Sequence, residues 1–160
     1  MVAGSHSQVS IAPVALARLW KASADSRNLI PKLIPDQIES VDLLEGNGGN
    51  GTVIQINFGP ALKGLKYVKN KAVAVDNENY VVKFSVVEGG DIGTKLKSCN
   101  FEVKMEATKE GGTKTTVKVD YDTLGDSPLS QEDADNIVGG VLGQTKAIEG
   151  HLQANLDAYA

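Results

Sequence analysis

From Thr52 to Thr123 the chain repeats one pattern. A run of alternating or β-branched residues is followed by a short turn of glycine, asparagine, aspartate or proline. Alternation at period two is the mark of a half-buried strand, and strands joined by short turns pair with their neighbours as an antiparallel meander. At Ser130 the period changes. Ile137, Val141, Thr145, Ile148 and Leu152 fall at helical spacing, flanked by Val138 and Leu142. Ser130 is a good N-cap, and acids fill the first turn. The chain is thus committed to one antiparallel sheet that buries its apolar face against one long helix.

The strands read as follows. "TVIQINF" sets Ile54, Ile56 and Phe58 against Val53, Gln55 and Asn57. "LKYVKNKAVAVD" (65–76) alternates Tyr67, Lys69 and Lys71 with Lys66, Val68 and Asn70. "YVVKFSVVE" (80–88) places Val82, Phe84 and Val86 on one face. "TKLKSCNFEVKMEAT" (94–108) turns Phe101, Val103 and Met105 inward, and "TKTTVKVDYDT" (113–123) does the same with Val117, Val119 and Tyr121. Ahead of these, "SQVSIA" (7–12) is a short strand, 14–25 a short helix, and "SRNLIPKLIP" a second helix or helical turn broken by Pro31 and Pro35. The four helix glycines, Gly139, Gly140, Gly143 and Gly150, either let the backbone pack close to the sheet or leave room for a guest.

"EGNGGNGT" contains Gly46-x-Gly48-x-x-Gly51, the spelling of a dinucleotide fingerprint. That fingerprint needs a helix after it to receive the pyrophosphate. Here a strand follows, and the lysine of a Walker loop is missing because Thr52 comes next. The stretch is a strand-to-strand turn, Gly46, Gly48, Gly49 and Gly51 supplying turn dihedrals.

Composition narrows function. At 160 residues and 41% hydrophobic, one domain over residues 1–160 is expected. A net charge of -4 offers no basic footprint for nucleic acid. The N-terminus lacks the basic and apolar regions of a signal peptide, and no apolar run approaches the ~18 residues of a membrane span. Cys99 is the single cysteine, so no internal disulfide forms, and it reads as a small core residue. With His6, His151 and Cys99 as the only soft ligands, no metal spacing appears and no cofactor is expected. Aromatics make up 5%. A long curved sheet gripping one helix with few large fillers predicts an internal apolar cavity for a mostly apolar small molecule.

The order of elements, the loop "EGNGGNGT" and five further landmarks, "ARLWKA", "NLIPKLIP", "KYVK", "VVEGGDIG" and "LDAYA", resemble the major birch-pollen-allergen family, the plant pathogenesis-related proteins of class ten. The resemblance covers nearly the whole chain. It implies an α+β helix-grip fold, a seven-stranded antiparallel sheet wrapped around the C-terminal helix. It also implies an intracellular, cytoplasmic stress protein, monomeric or at most weakly dimeric, that carries, stores or senses cytokinins, flavonoids or steroid-like metabolites.

Strand parity and family position give the ligand-binding candidates: Tyr67, Asn70, Val82, Phe84 and Phe101 on the sheet, Val138, Val141, Leu142 and Thr145 on the helix. Tyr67 and Asn70 have opposite parity, so both can line the cavity only through a bulge. The alternative is an enzyme. The ribonuclease site proposed for the family combines the glycine loop with acids and a tyrosine. Glu149 matches the helix acid, Lys97 stands where many relatives carry glutamate, and His151 replaces the tyrosine. A solvated helix end is the expected setting of Glu149 and His151. Lys118, in the strand where a condensing enzyme of alkaloid pathways carries its lysine, has the solvent parity.

Overall fold

The computed structural model describes residues 1–62 and 64–160. Seven strands form one antiparallel sheet: β1 (Ala3–Ala12), β2 (Ile38–Glu45), β3 (Val53–Phe58), β4 (Tyr67–Asp76), β5 (Val81–Gly89), β6 (Leu96–Ala107) and β7 (Thr113–Thr123). Their order is β1-β7-β6-β5-β4-β3-β2. The meander β2 to β7 runs neighbour to neighbour as its short turns require, and β1 closes onto β7 in unbroken register from Ala3↔Asp122 to Ala12↔Thr113. Helices α1 (Leu16–Ala24) and α2 (Ser26–Leu33) link β1 to β2, and the long helix α3 (Gln131–Ala154) lies in the grip of the sheet.

Inward parity on β5, β6 and β7 is as expected. Val117 and Val119 are fully buried, and Phe101, Met105 and Tyr121 nearly so. β1 is longer than expected. Ala3 to His6 lack strand-forming side chains, and pairing with β7 recruits them regardless. α1 starts later than expected because Val14 is held in the core while its carbonyl accepts a hydrogen bond from Thr113 Oγ1 at 2.7 Å. Pro31 does not break α2. It lies inside the helix, where burial of Leu29 and Ile30 outweighs one missing backbone donor. The stop comes at Leu33, before the extended Ile34 that precedes Pro35.

α3 is fastened at both ends. Ser130 Oγ accepts from the Asp133 amide at 3.1 Å, with Glu132 and Asp133 in the first turn. At the far end Arg18 of α1 donates to the carbonyls of Leu152, Asn155 and Ala158 at 3.0–3.2 Å. Leu152 and the cap residue Asn155 have carbonyls that a helix terminus leaves without partners, Ala158 belongs to the segment that follows, and a cation there opposes the negative end of the helix dipole. The Tyr159 hydroxyl bonds the Asp25 carboxylate, tying the C-terminal segment to the α1–α2 junction. That bond holds the Asp25 carboxyl below its usual range and pushes the Tyr159 phenol up to about 12.

Two packed clusters result. One joins α1, α2 and the C-terminal part of α3 through Leu19, Ala22, Ile30, Met105, Ile148 and Leu152. The other seats Val138 and Leu142 on Cys99, Phe101, Val117, Val119 and Tyr121. Among the described residues no helix is long and apolar enough to cross a membrane.

Candidate functional site: a two-compartment cavity

Between α3 and strands β3 to β6 the side chains do not meet. The space divides into two compartments of about 740 and about 860 Å³. The first opens between the β3–β4 and β5–β6 connections and the first turns of α3, past Leu62, Leu65, Ile92 and Asn136. The second opens between α1–α2 and the glycine-rich turn, past Trp20, Arg27, Asn47 and Asn77. Both are bordered by Ile56 of β3, Asn70 of β4, Phe84 of β5, and Val141 and Gln144 of α3, so the compartments meet at these five residues.

The sheet side of the cavity comes from one parity of each strand. Ile54 and Ile56 of β3 pair with Asn70 and Val68 of β4, and all four line it. On β4 the alternation Val68, Asn70, Ala72 is interrupted at Val73, an extra residue between the pairs Ala72↔Phe84 and Ala74↔Lys83. Val73 is extruded, 57% exposed, and the inward position moves to Val75 opposite Val82. Phe84 stacks on Phe101, ring centroids 5.0 Å apart, as a flat wall.

Several expected positions come together here. Asn70, Phe84 and Val141 border both compartments, Phe101 the first, Val82 and Thr145 the second. Tyr67 does not join them. The register of β4 against β5 does shift inside the Tyr67–Asn70 interval, between Lys69 and Asn70, but the extra residue there is Val87 of β5, so β4 itself keeps alternating and Tyr67 goes to the outer face. There its hydroxyl donates to Glu88 Oε2 at 2.5 Å, with Lys69 Nζ 3.1 Å from the same carboxylate. The acceptor raises the Tyr67 phenol pKa and is itself held below the usual carboxylate range. Val138 and Leu142 are buried but pack behind the cavity wall, in the cluster with β6 and β7. On this stretch of α3 the cavity-facing positions are Ile137 and Val141, one residue earlier on the helix wheel.

The glycines of α3 separate the two readings open for them. A Cβ built at Gly139, Gly140, Gly143 or Gly150 would meet nothing within 4 Å, so none is there for close backbone approach. Gly139 and Gly140 border the first compartment. Cys99 also borders it, with its thiol pushed up to about 12 by burial and by Asp91, an unreactive position.

The glycine-rich turn is internally satisfied. The Gly48 amide donates to Thr52 Oγ1 (2.9 Å), Gly49 to Asn47 Oδ1 (3.3 Å) and Gly51 to the Ala72 carbonyl (2.8 Å). Asn50 Oδ1 accepts from the Val75 amide at 2.7 Å. With the Gly48 and Gly49 amides used inside the turn and Gly51 and Asn50 bonded to β4, it is a clasp between β2, β3 and β4 at the second mouth. Gly46 has φ +85°, and a Cβ there would lie 2.8 Å from Thr52 Cα, which explains glycine at that point.

The alternative ribonuclease residues do not assemble. Glu149 is not at a solvated helix end. It is 5% exposed and accepts from Ser10 Oγ at 3.3 Å, while its other carboxylate oxygen has no partner among the described residues. The reason is the wheel position: Glu149 falls on the buried stripe of α3 with Leu142 and Leu152, where Ser10 of β1 meets it. Burial pushes its pKa up, opposed by the Ser10 bond and Lys146. His151 instead lies against Asn155. Lys97 is exposed, and Lys118 is exposed with Asp120 at 3.8 Å. Among the described residues no group of three or more His, Cys, Asp or Glu is placed to hold a metal ion.

The fold agrees with the comparisons. Residues 5–155 match the family model described as the pathogenesis-related protein Bet v 1 family. The chain belongs to the Bet v 1 family. The pollen allergen Bet v 1-M/N of Betula pendula is 41% identical over 145 residues, covering 89% of each chain. Class-10 pathogenesis-related protein 1 of Medicago sativa is 40% identical over 148 residues, covering 90% of this chain and 91% of that one. Among solved structures, Ara h 8.0201 superposes with a TM-score of 0.84 at 35% identity, over 96% of this chain and all of the other. The Bet v 1 fold accounts for the seven-stranded sheet, the paired short helices and the gripped α3 alike.

Proposed function

We propose that this Bet v 1 family member is a plant defence- or stress-related protein, a single ligand-binding domain that carries, stores or senses a small hydrophobic metabolite in the space between sheet and α3. The observation that carries the reading is the pair of joined compartments. Each lies within the roughly 300–1,000 Å³ range of small-molecule sites, with mostly apolar walls and a few polar groups. Asn70, Phe84, Phe101, Val82, Val141 and Thr145 are the proposed contacts. Cytokinin, flavonoid and steroid-like molecules all combine an apolar body with a few polar atoms and match this lining. A cytoplasmic monomer is the proposed state, with no cofactor.

The test is thermal unfolding against N6-benzyladenine, a flavonoid, abscisic acid and a sterol. A ligand held only by the native state stabilises by RT ln(1 + [L]/Kd), about 2.7 kcal/mol at a hundredfold excess over Kd. A saturable rise in Tm with one class supports the proposal and names the chemistry. No shift with any class well above micromolar concentration overturns it.

A further inference from the structure

The five residues where the compartments meet are not uniformly apolar. Two are carboxamides on opposite walls, Asn70 from β4 and Gln144 from α3, and the others are Ile56, Phe84 and Val141. Asn70 Oδ1 is fully buried and has no hydrogen-bond partner among the described residues. A buried acceptor left unpaired is uncommon in folded proteins and marks a site that something else completes. Asn70 lies on the inward parity of β4 with Val68 and Ala72, paired with Ile54 on one side and, just past the register shift at Val87, with Val86 on the other. Its amide therefore cannot turn to solvent without breaking the register.

We propose that this waist selects ligands of one chemical class: elongated, two-lobed molecules whose apolar lobes are joined by a planar amide-like group bearing a donor and an acceptor. The inference rests on the ligand-binding reading above and narrows it. A carboxamide presents donor and acceptor side by side in one plane. The group that answers both at once is another amide, a lactam or an amino-substituted heterocycle, whichever way the Asn70 amide is turned. Phe84, stacked on Phe101, offers a flat neighbour for such a group. One lobe then occupies each compartment. A ligand that pairs the Asn70 amide gains a hydrogen bond that a purely apolar ligand threaded through the same waist does not, a preference of about tenfold in affinity.

The experiment uses two molecules of the same length and shape, benzanilide, with a central amide, and trans-stilbene, with a central carbon–carbon double bond. Each competes with the fluorescent probe anilinonaphthalene sulfonate on the full chain. Benzanilide is expected to bind about tenfold more tightly. Asn70→Leu closes the gap from both sides, weakening benzanilide and strengthening stilbene. Asn70→Ala, with less volume to place, does the same if the leucine variant fails to fold. Gln144→Leu narrows the gap less. Equal affinities in the unmodified protein, or a preference that survives both Asn70 substitutions, overturn the waist and leave the carrier reading standing. If neither compound nor the fluorescent probe binds, the carrier reading falls and the waist with it.

Discussion

The two halves of the sheet present similar inward residue types and reach opposite outcomes. On β7 the inward side chains Thr113, Thr115, Val117, Val119, Tyr121 and Thr123 are all buried. On β4 and β5 the inward side chains Val68, Asn70, Ala72, Val82, Phe84 and Val86 are only half-buried and line a space. The difference is where α3 lies. Of its buried residues, Val138 and Leu142 are received by the β6–β7 cluster, Glu149 by Ser10 of β1 and Leu152 by the α1–α2 cluster, all turned away from the cavity centre. On the other side α3 offers Ile137, Gly139, Gly140, Val141 and Gln144, of which the two glycines and Val141 add little bulk to the space in front of β4. One helix can close one half of a curved seven-stranded sheet. Side-chain size on the helix decides whether the other half fills or stays hollow.

The largest expected effect breaks the closed half. Leu142→Ala removes a side chain surrounded by β6 and β7 packing and leaves a void the neighbours only partly fill, costing about 2–5 kcal/mol. Phe84→Ala in the hollow half enlarges a space that already exists. It forfeits the Phe101 stack, about 0.5–1.5 kcal/mol, with part of the burial, and so costs less than the roughly 3–5 kcal/mol of a sealed phenylalanine. Urea denaturation of both variants checks the order, and a Phe84→Ala loss equal to a sealed core truncation would show that the space collapses.

Next in size is the charge inside the closed half. Burial raises the Glu149 pKa above its unfolded value. Between the two values the native state holds more protons than the unfolded chain, so stability falls as pH rises. The protonated form's full advantage is present below the unfolded pKa, about 4.3, and is lost as pH passes through the folded value. Glu149→Gln keeps the shape without the charge. It is expected to raise Tm at pH 8 and to change it little at pH 4. An equal effect at both pH values would show that Glu149 is neutral or solvated throughout.

Smaller still is the effect of filling the hollow side from the helix. Gly139→Ala and Gly140→Ala each gain about 1 kcal/mol of helix propensity at most, and no atom lies within 4 Å to oppose the new methyl. Both narrow the first compartment. Calorimetric unfolding paired with ligand titration should show higher stability together with weaker binding of bulky ligands. Destabilisation instead would place unseen packing against these glycines.

The same contrast governs what could be read from residues alone. Parity on β5, β6 and β7 was legible because alternation is strong over Val82–Val86, Phe101–Met105 and Val117–Tyr121, and the register shifts at Val87 and Lys97 fall outside those runs. The Ser130 cap and the helix stripe were legible because cap and period are local. The Val73 bulge was not, since Ala72, Val73 and Ala74 are similar enough that no pattern marks which one is extruded. Glu149 was misjudged because its acidic type outweighed its place on the buried stripe. Arg18, which caps the far end of α3, is 134 residues from its nearest carbonyl partner in the chain, and nothing local announces it. The carboxamide waist was half visible. Asn70 follows from parity, whereas Gln144 becomes a partner only once the rotation of α3 about its axis is known.

Tyr67 gives the smallest expected effect and the sharpest check on which face is which. Its ring stands on the outer side of β4, and its hydroxyl engages Glu88, which Lys69 also reaches. Tyr67→Phe deletes the hydroxyl without altering the strand, so ligand affinity should remain that of the unmodified protein, while Asn70→Leu, three residues along the same strand, changes it. A spectrophotometric titration adds an independent reading. Glu88 raises the Tyr67 phenol pKa, because the carboxylate accepts its proton and opposes a second negative charge beside it. In Glu88→Gln that phenol should therefore ionise at lower pH than in the unmodified chain. If Tyr67→Phe instead weakens binding as Asn70→Leu does, β4 is turned or bulged in solution between the two residues, and the cavity wall must be redrawn with the phenol inside it.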